Sequence, residues 1–370
     1  AYAHGRRDGV RCPYEYAAYM ERFIQEFCSR HEALYSQAYP QGVEVLCPIQ
    51  TWSDDFSMAI GGIPSLVNEF SGGEFMETHY HSQFDSEAFY DAKVYRFHHQ
   101  LYGSLAIALD HLAAAPLDFE RVFEALTASV DRELAVRIGA EEGIKELFKE
   151  IEGAKEAARR LREGLEKGNQ RYRACLDRGD EEGARREAGG IRDLRERAMK
   201  AFQKEQDWLV RLNWHDDVLF PQEASQNNLQ AIYRALQCLD EGNGRAALEA
   251  IYEIDNNRYA FEFEEEVFQY FTEYVLKQPG ERLQWGKGRI LHHENLFGLV
   301  RSLLKKVLPE NRGDLSGENS GLQEGPACFA QEREWLARTA ARQEQCLRDD
   351  IMYVTAALRK LHALIEPDRD

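Results

Sequence analysis

The sequence predicts an α/β segment followed by a mainly α-helical region that contains an antiparallel coiled-coil hairpin. Three observations carry this reading. Short β-branched stretches bounded by turn residues occur only before residue 118. From about Asp118 onward apolar residues recur at helical spacing and strand signals vanish. Between 142 and 203 that spacing becomes a heptad seam. The expected division is 1–117 for the α/β part and 118–370 for the helical part, with the hairpin at 142–203 inside it.

Taken in order, the first helical signal runs from Pro13 to about Tyr35, where Tyr16, Met20, Phe23, Ile24 and Phe27 share a face. "GVEVLCPI" at 42 to 49 reads as a strand, and "GGIPSLVNEF" supplies a second after a glycine turn. "FMETHYHS" reads as a third extended stretch, which would put His79 and His81 on one face. After Asp85 a helix carries Val94, Phe97, Leu101, Leu105 and Leu109 and closes near "AAAPLD". Further on, Ile144, Leu147, Ile151, Ala154, Ala158, Leu161 and Leu165 alternate spacings of three and four; "LDRGDEEG" breaks the run, and Ala184, Ile191, Leu194, Ala198 and Ala201 resume it. Small alanines let the two arms approach closely, and the charges between them read as solvated faces. Helices are expected at 226–240, 243–254, 258–277, 289–307 and 328–365, with a flexible loop at 309–327.

The composition removes several functions. With 46 basic against 64 acidic residues the net charge is -18, and no local basic patch is large enough to attract nucleic acid. Seven cysteines, odd in number and without a CxxC pair, read as reduced thiols in a cytoplasmic setting. No apolar run approaches the roughly 18 to 20 residues that span a bilayer, so no membrane partner is expected. HExxH, G-x-S-x-G, Walker A and dinucleotide glycine fingerprints are all missing from the sequence.

What remains is "THYHSQFDS" at 78 to 86. Two histidines at i and i+2 before an aspartate form a weak metal signal by themselves, since such pairs are common without a metal. The flanks add to it. "TWSDDFSMAIGGIPSLVNEF", then this motif, then "YRFHHQLYGSLAIALDHLAAAPLDF" is similar in order and spacing to the C-terminal part of the catalytic domain of the dinuclear zinc exopeptidases. That family comprises the bacterial zinc aminopeptidases, glutamate carboxypeptidase II and the non-catalytic transferrin receptor. The matching elements are Ser53 and Asp54, Gly62 and Ile63, Tyr80, His81 and Ser82, Asp85, and the helix through Leu112. They cover roughly residues 13 to 118.

The resemblance implies that the α/β part is the C-terminal part of a zinc exopeptidase domain, with His81 as the last zinc ligand and Tyr80 placed to hydrogen-bond the tetrahedral intermediate. It implies Asp85 as a group behind the ligands or a helix cap, gives His79 no role, and calls for two zinc ions and a peptide substrate cleaved by a zinc-activated water. It leaves aminopeptidase and carboxypeptidase open. The other ligands of that family stand in an early His-x-Asp motif and a Glu-Glu pair. Neither occurs in the 80 residues before His81, and the chain starts at Ala1 without an initiator methionine. The expectation is therefore a C-terminal portion that needs the upstream half of the peptidase domain as its partner, and a homodimer formed through the helical region. The alternative is a non-catalytic helical interaction or dimerisation protein that keeps a peptidase remnant.

Other polar clusters read as structural. His292 and His293 beside Glu294, and His98 and His99, lie about 100° apart on expected helices and read as helix surface or helix contacts. His215, Asp216 and Asp217 read as the cap region of a following helix. The aromatic run at 258 to 275 reads as core or dimer contact.

Overall fold

The structure, a computed structural model, describes residues 7–51, 53–69, 78–276, 288–290, 292–308 and 325–366. The chain divides into two compact units. The first takes residues 1–128, 149–208 and 357–370, and the second takes 129–148 and 209–356.

The first unit contains a three-stranded sheet in the order β2-β1-β3. Strand β1 (Asp8–Arg11) pairs in parallel with β2 (Val43–Leu46) and antiparallel with β3 (Val67–Glu69). Its central position buries Asp8, Gly9 and Val10. The helix Tyr14–Arg30 follows Pro13 and buries Tyr16, Met20, Ile24 and Phe27, the stripe that its four- and three-residue spacing dictates. The helix Ala92–Asp110 starts at Asp91, whose side chain accepts from the backbone N–H groups of Lys93 and Val94. Phe97 of this helix sits among aromatic rings, with centroids 5.8 Å from Phe27 and 5.3 Å from Tyr39.

The hairpin is made of the helices Glu141–Asp177, Glu181–Gly190 and Arg192–Leu209. Every seam residue from Ile144 to Leu165 is buried, as are Ile191, Ala198 and Ala201. Gly179, at φ +67°, makes the reversal, and Asp180 caps the returning arm at Gly183 N. Glycine lets the arms meet as closely as alanine does. A Cβ at Gly164 would stand 3.1 Å from Leu194, and one at Gly168 would overlap Ile191.

Among the described residues, the regular structure of the second unit is helical apart from a short antiparallel pair, β4 (Arg211–Leu212) and β5 (Val218–Leu219). The helix Pro221–Asp240 buries Leu229, Ile232, Ala235 and Leu239, and the helix Gly244–Tyr252 buries Ala247, Leu248 and Ile251. Gly244 is required there, because a Cβ would meet Phe329 at 2.7 Å and Val307 at 2.8 Å. The helices Phe297–Val307 and Ala330–Ile365 complete the core with Leu299, Val300, Leu303, Leu336, Leu347, Ile351 and Val354.

This architecture corrects the expected fold class. Among the described residues the structure is 72% helical with five short strands, so it is a mostly helical protein and the first part is not an α/β peptidase domain. The reason lies in strand length: β1, β2 and β3 span four, four and three residues, too short a sheet to be the layer on which helices stack. The third expected strand is also absent among the described residues, since Thr78 is helical and His79 to Phe84 is turn and bend, while 70–77 lies outside the described residues. The expected helix at 258–277 splits into Tyr259–Glu262 and Glu265–Leu276, and the one at 289–307 begins only at Phe297. Most of the expected loop at 309–327 falls outside the described residues. No helix among the described residues is long and apolar enough to cross a membrane.

In the first unit one side chain fastens a loop to the hairpin. Asn169 accepts from Ala114 N and donates to Ala114 O, both at 3.0 Å and buried. Asn169→Ala leaves a buried N–H and a buried C=O unpaired, which costs roughly 2 to 4 kcal/mol. Urea denaturation is expected to show a loss of that size for Asn169→Ala.

Candidate functional site

The segment that carries Tyr80 and His81 is a tight turn. Ser82 donates to His79 O from its backbone N–H at 3.0 Å and from its hydroxyl at 2.7 Å, and Asp85 N closes on Ser82 O at 3.2 Å. Inside it His81 has φ +55°, a left-handed backbone that residues with a Cβ seldom adopt. The imidazole of His81 is exposed and lies parallel to the Tyr80 ring, with centroids 3.9 Å apart. His79 faces elsewhere, its Nδ1 on the Thr78 hydroxyl at 2.5 Å and its ring edge-on to Phe84. Asp85 is exposed, and the helix cap expected of it belongs to Asp91. The structure thus keeps Tyr80 and His81 together and separates His79 and Asp85 from them in role.

A structural or catalytic zinc takes three or four protein ligands from Cys, His and carboxylates. Among the described residues no three such side chains converge. His81 offers one ligand, and the described residues by themselves do not fit a zinc pair.

Elsewhere in the first unit, His98 is fully buried, in line with a helix contact. The Tyr39 hydroxyl bonds its Nε2 at 2.6 Å, and Asp8 Oδ2 lies 3.7 Å from the same nitrogen, beyond hydrogen-bond reach. Asn68 donates to Asp8 Oδ1 at 2.8 Å. Burial pushes the Asp8 carboxyl up to about 7 and the His98 imidazole down to about 4. The pair is therefore neutral near pH 6, and the cluster acts as a wedge of hydrogen-bonded core.

The densest polar network is in the second unit, where the sequence reading expected none. Residues 292–296 run as irregular chain, held by the loop at 254–258. Asn257 donates to Glu294 O and accepts from Leu296 N, both at 2.8 Å, so its amide acts as one more strand beside that segment. Asp255, at φ +47° and buried, accepts from Glu294 N at 2.7 Å and from Asn228 at 2.8 Å. The Glu294 carboxylate takes Arg342 at 2.7 Å and Gln343 at 3.2 Å. His292, placed by this frame, has its Nε2 2.8 Å from Asp350 Oδ2, and the Ser225 hydroxyl donates to the same oxygen at 2.5 Å.

Ser, His and Asp together invite a hydrolytic reading, but their order opposes it. In a nucleophilic triad the imidazole stands between hydroxyl and carboxylate and removes the hydroxyl proton. Asp350 stands between Ser225 and His292 instead, so Ser225 gives its hydrogen bond to a carboxylate and gains no base. The network holds a proton and locks the segment. Its signal was present in the sequence: Thr339, Gln343 and Asp350 interrupt the apolar face made by Leu336, Ala340, Leu347, Ile351 and Val354. His215 is likewise structural, its Nδ1 3.1 Å from Arg258 in the turn between β4 and β5.

Burial opposes the charged form of His292, yet the hydrogen bonds to Asp350 and Cys346 overcome it and raise the imidazole to about 10. The folded value lies above the ordinary 6.5, so this stabilisation is complete below about 6.5 and is lost as pH rises through about 10. Denaturant titrations across that window are expected to show stability falling in the parent and a flatter profile in Asp350→Asn, which starts from lower stability. Equal slopes would sink the ion-pair assignment. No family model, no curated protein and no solved structure matches the chain.

Proposed function

We propose that this chain supplies the Tyr80–His81 part of a zinc-dependent exopeptidase site, acting on peptide substrates, with His81 as a single zinc ligand and the remaining ligands outside the described residues. The observation that supports it is the His81 backbone. A φ of +55° at a residue with a Cβ is a strained conformation, and such strain collects where a side chain must be presented in one direction. Here it presents an exposed imidazole instead of burying it. Zinc when bound would act as a Lewis acid toward the scissile carbonyl. The part of this chain in the reaction is to hold the imidazole and to offer the Tyr80 hydroxyl as a hydrogen-bond donor to an oxygen beside it. Seven free thiols suit a reducing, cytoplasmic setting.

A second reading rests on the helix Glu265–Leu276. It buries Phe268 and Thr272 but exposes Tyr270 by 67%, Tyr274 by 57% and Phe271 by 47%, an aromatic face of the kind enriched at protein interfaces. In this reading the chain is a non-catalytic helical protein that dimerises, with Tyr270 and Tyr274 in the contact.

Zinc stoichiometry of the full gene product separates the two. About two zinc ions per chain, falling by about one in His81→Ala with loss of peptide hydrolysis, is the expected result. Zinc content that His81→Ala leaves unchanged overturns the assignment of His81. In that event sedimentation of Tyr270→Glu/Tyr274→Glu against the parent tests the dimer.

A further inference from the structure

We propose that Cys12 and Cys47 form a reversible intramolecular disulfide, a redox modification site that takes a low-molecular-weight disulfide such as glutathione disulfide as its co-reactant. The proposal stands on the sheet and is independent of the peptidase reading. The parallel ladder of β1 and β2 ends with Arg11 opposite Leu46. Cys12 N–H then donates to Leu46 O at 3.0 Å, which continues the ladder by one residue and sets Cys12 opposite Cys47. Opposed residues on neighbouring strands lie about 4.8 Å apart and project to the same face, inside the Cα separation of roughly 4.4 to 6.8 Å that a disulfide accepts. Cys47 is the neighbour that most raises the Cys12 thiol, and neither cysteine is in a disulfide.

The two differ in access, which orders the chemistry. Cys12 is fully buried, while Cys47 is half-buried. The Cys47 thiolate attacks one sulfur of glutathione disulfide, forming a mixed disulfide and releasing one glutathione thiolate. Cys12, whose thiol is held up by its contact with Cys47 and by burial, attacks second. Its Sγ displaces the remaining glutathione from the Cys47 sulfur. The protons lost by Cys12 and Cys47 are taken up by the two glutathione thiolates released, so two protein thiols are oxidised and one glutathione disulfide is reduced to two thiols. Capture of Cys47 in the mixed disulfide also removes the neighbouring thiol that held Cys12 protonated.

The test is incubation of the intact chain with glutathione disulfide, followed by alkylation of remaining thiols and peptide mapping by mass spectrometry. Expected in the parent is a peptide pair joined through Cys12 and Cys47, with both thiols lost together and both restored by dithiothreitol. In Cys12→Ser the glutathione adduct is expected to persist on Cys47, and in Cys47→Ser the Cys12 thiol is expected to stay reduced. A persistent glutathione adduct on Cys47 in the parent, or reaction confined to exposed Cys328, overturns the proposal. If Cys12→Ser fails to fold, Cys12→Ala serves for the same comparison, and the parent map decides without either.

Discussion

Both units depend on one constraint: a polar group taken out of water must find a partner inside the protein. Where a loop is brought into the core, its backbone N–H and C=O groups would cost more than its apolar side chains return unless something pairs with them. Here side-chain amides do so. Asn169 pairs with both backbone groups of Ala114, and Asn257 with Glu294 O and Leu296 N. Each acts as a fragment of β-ladder supplied by a single residue, and each fixes a segment that has no regular structure of its own.

The same constraint explains how the second unit buries so many ionisable groups. Asp255 and Asp350 are buried, and the cost is offset by donors: Asn228 and a backbone N–H for the first, Ser225 and His292 for the second. Breaking one member leaves its partner charged and unsolvated, which is the expensive outcome for a buried pair. A network closed in this way turns its donors onto its own carboxylates. The Tyr80–His81 turn lies instead toward the surface, with two rings stacked on one another and the His81 imidazole open to solvent.

How much was legible in the sequence follows from the range of the forces involved. Helices are set by the spacing of apolar residues along a dozen or more positions, so the Tyr14–Arg30, Ala92–Asp110 and Ala330–Ile365 helices could be read directly, as could the strand at Val43–Leu46. The hairpin seam was legible for the same reason, down to the break at Gly179. Short alternations carry less information. "FMETHYHS" looked extended, but serine hydroxyl and backbone bonds between His79 and Asp85 turn the chain within a few residues, a local competition that Ser and Asp commonly win. The histidine pair at 292 and 293 misled in the other direction, because the helix expected to include it starts only at Phe297.

The sequence by itself determined that this protein is dominated by amphipathic helices, that it holds a heptad hairpin between 142 and 203, and that Tyr80 and His81 stand side by side. All of these are properties of neighbours in the chain. Only the tertiary structure decided that three short strands make a small sheet rather than an α/β layer. It also decided that Asp350 lies between Ser225 and His292, and that Cys12 faces Cys47. Those outcomes join residues from 35 to more than 100 positions apart, and no local spacing encodes them. They follow from which polar groups the packed helices leave within hydrogen-bonding distance of one another.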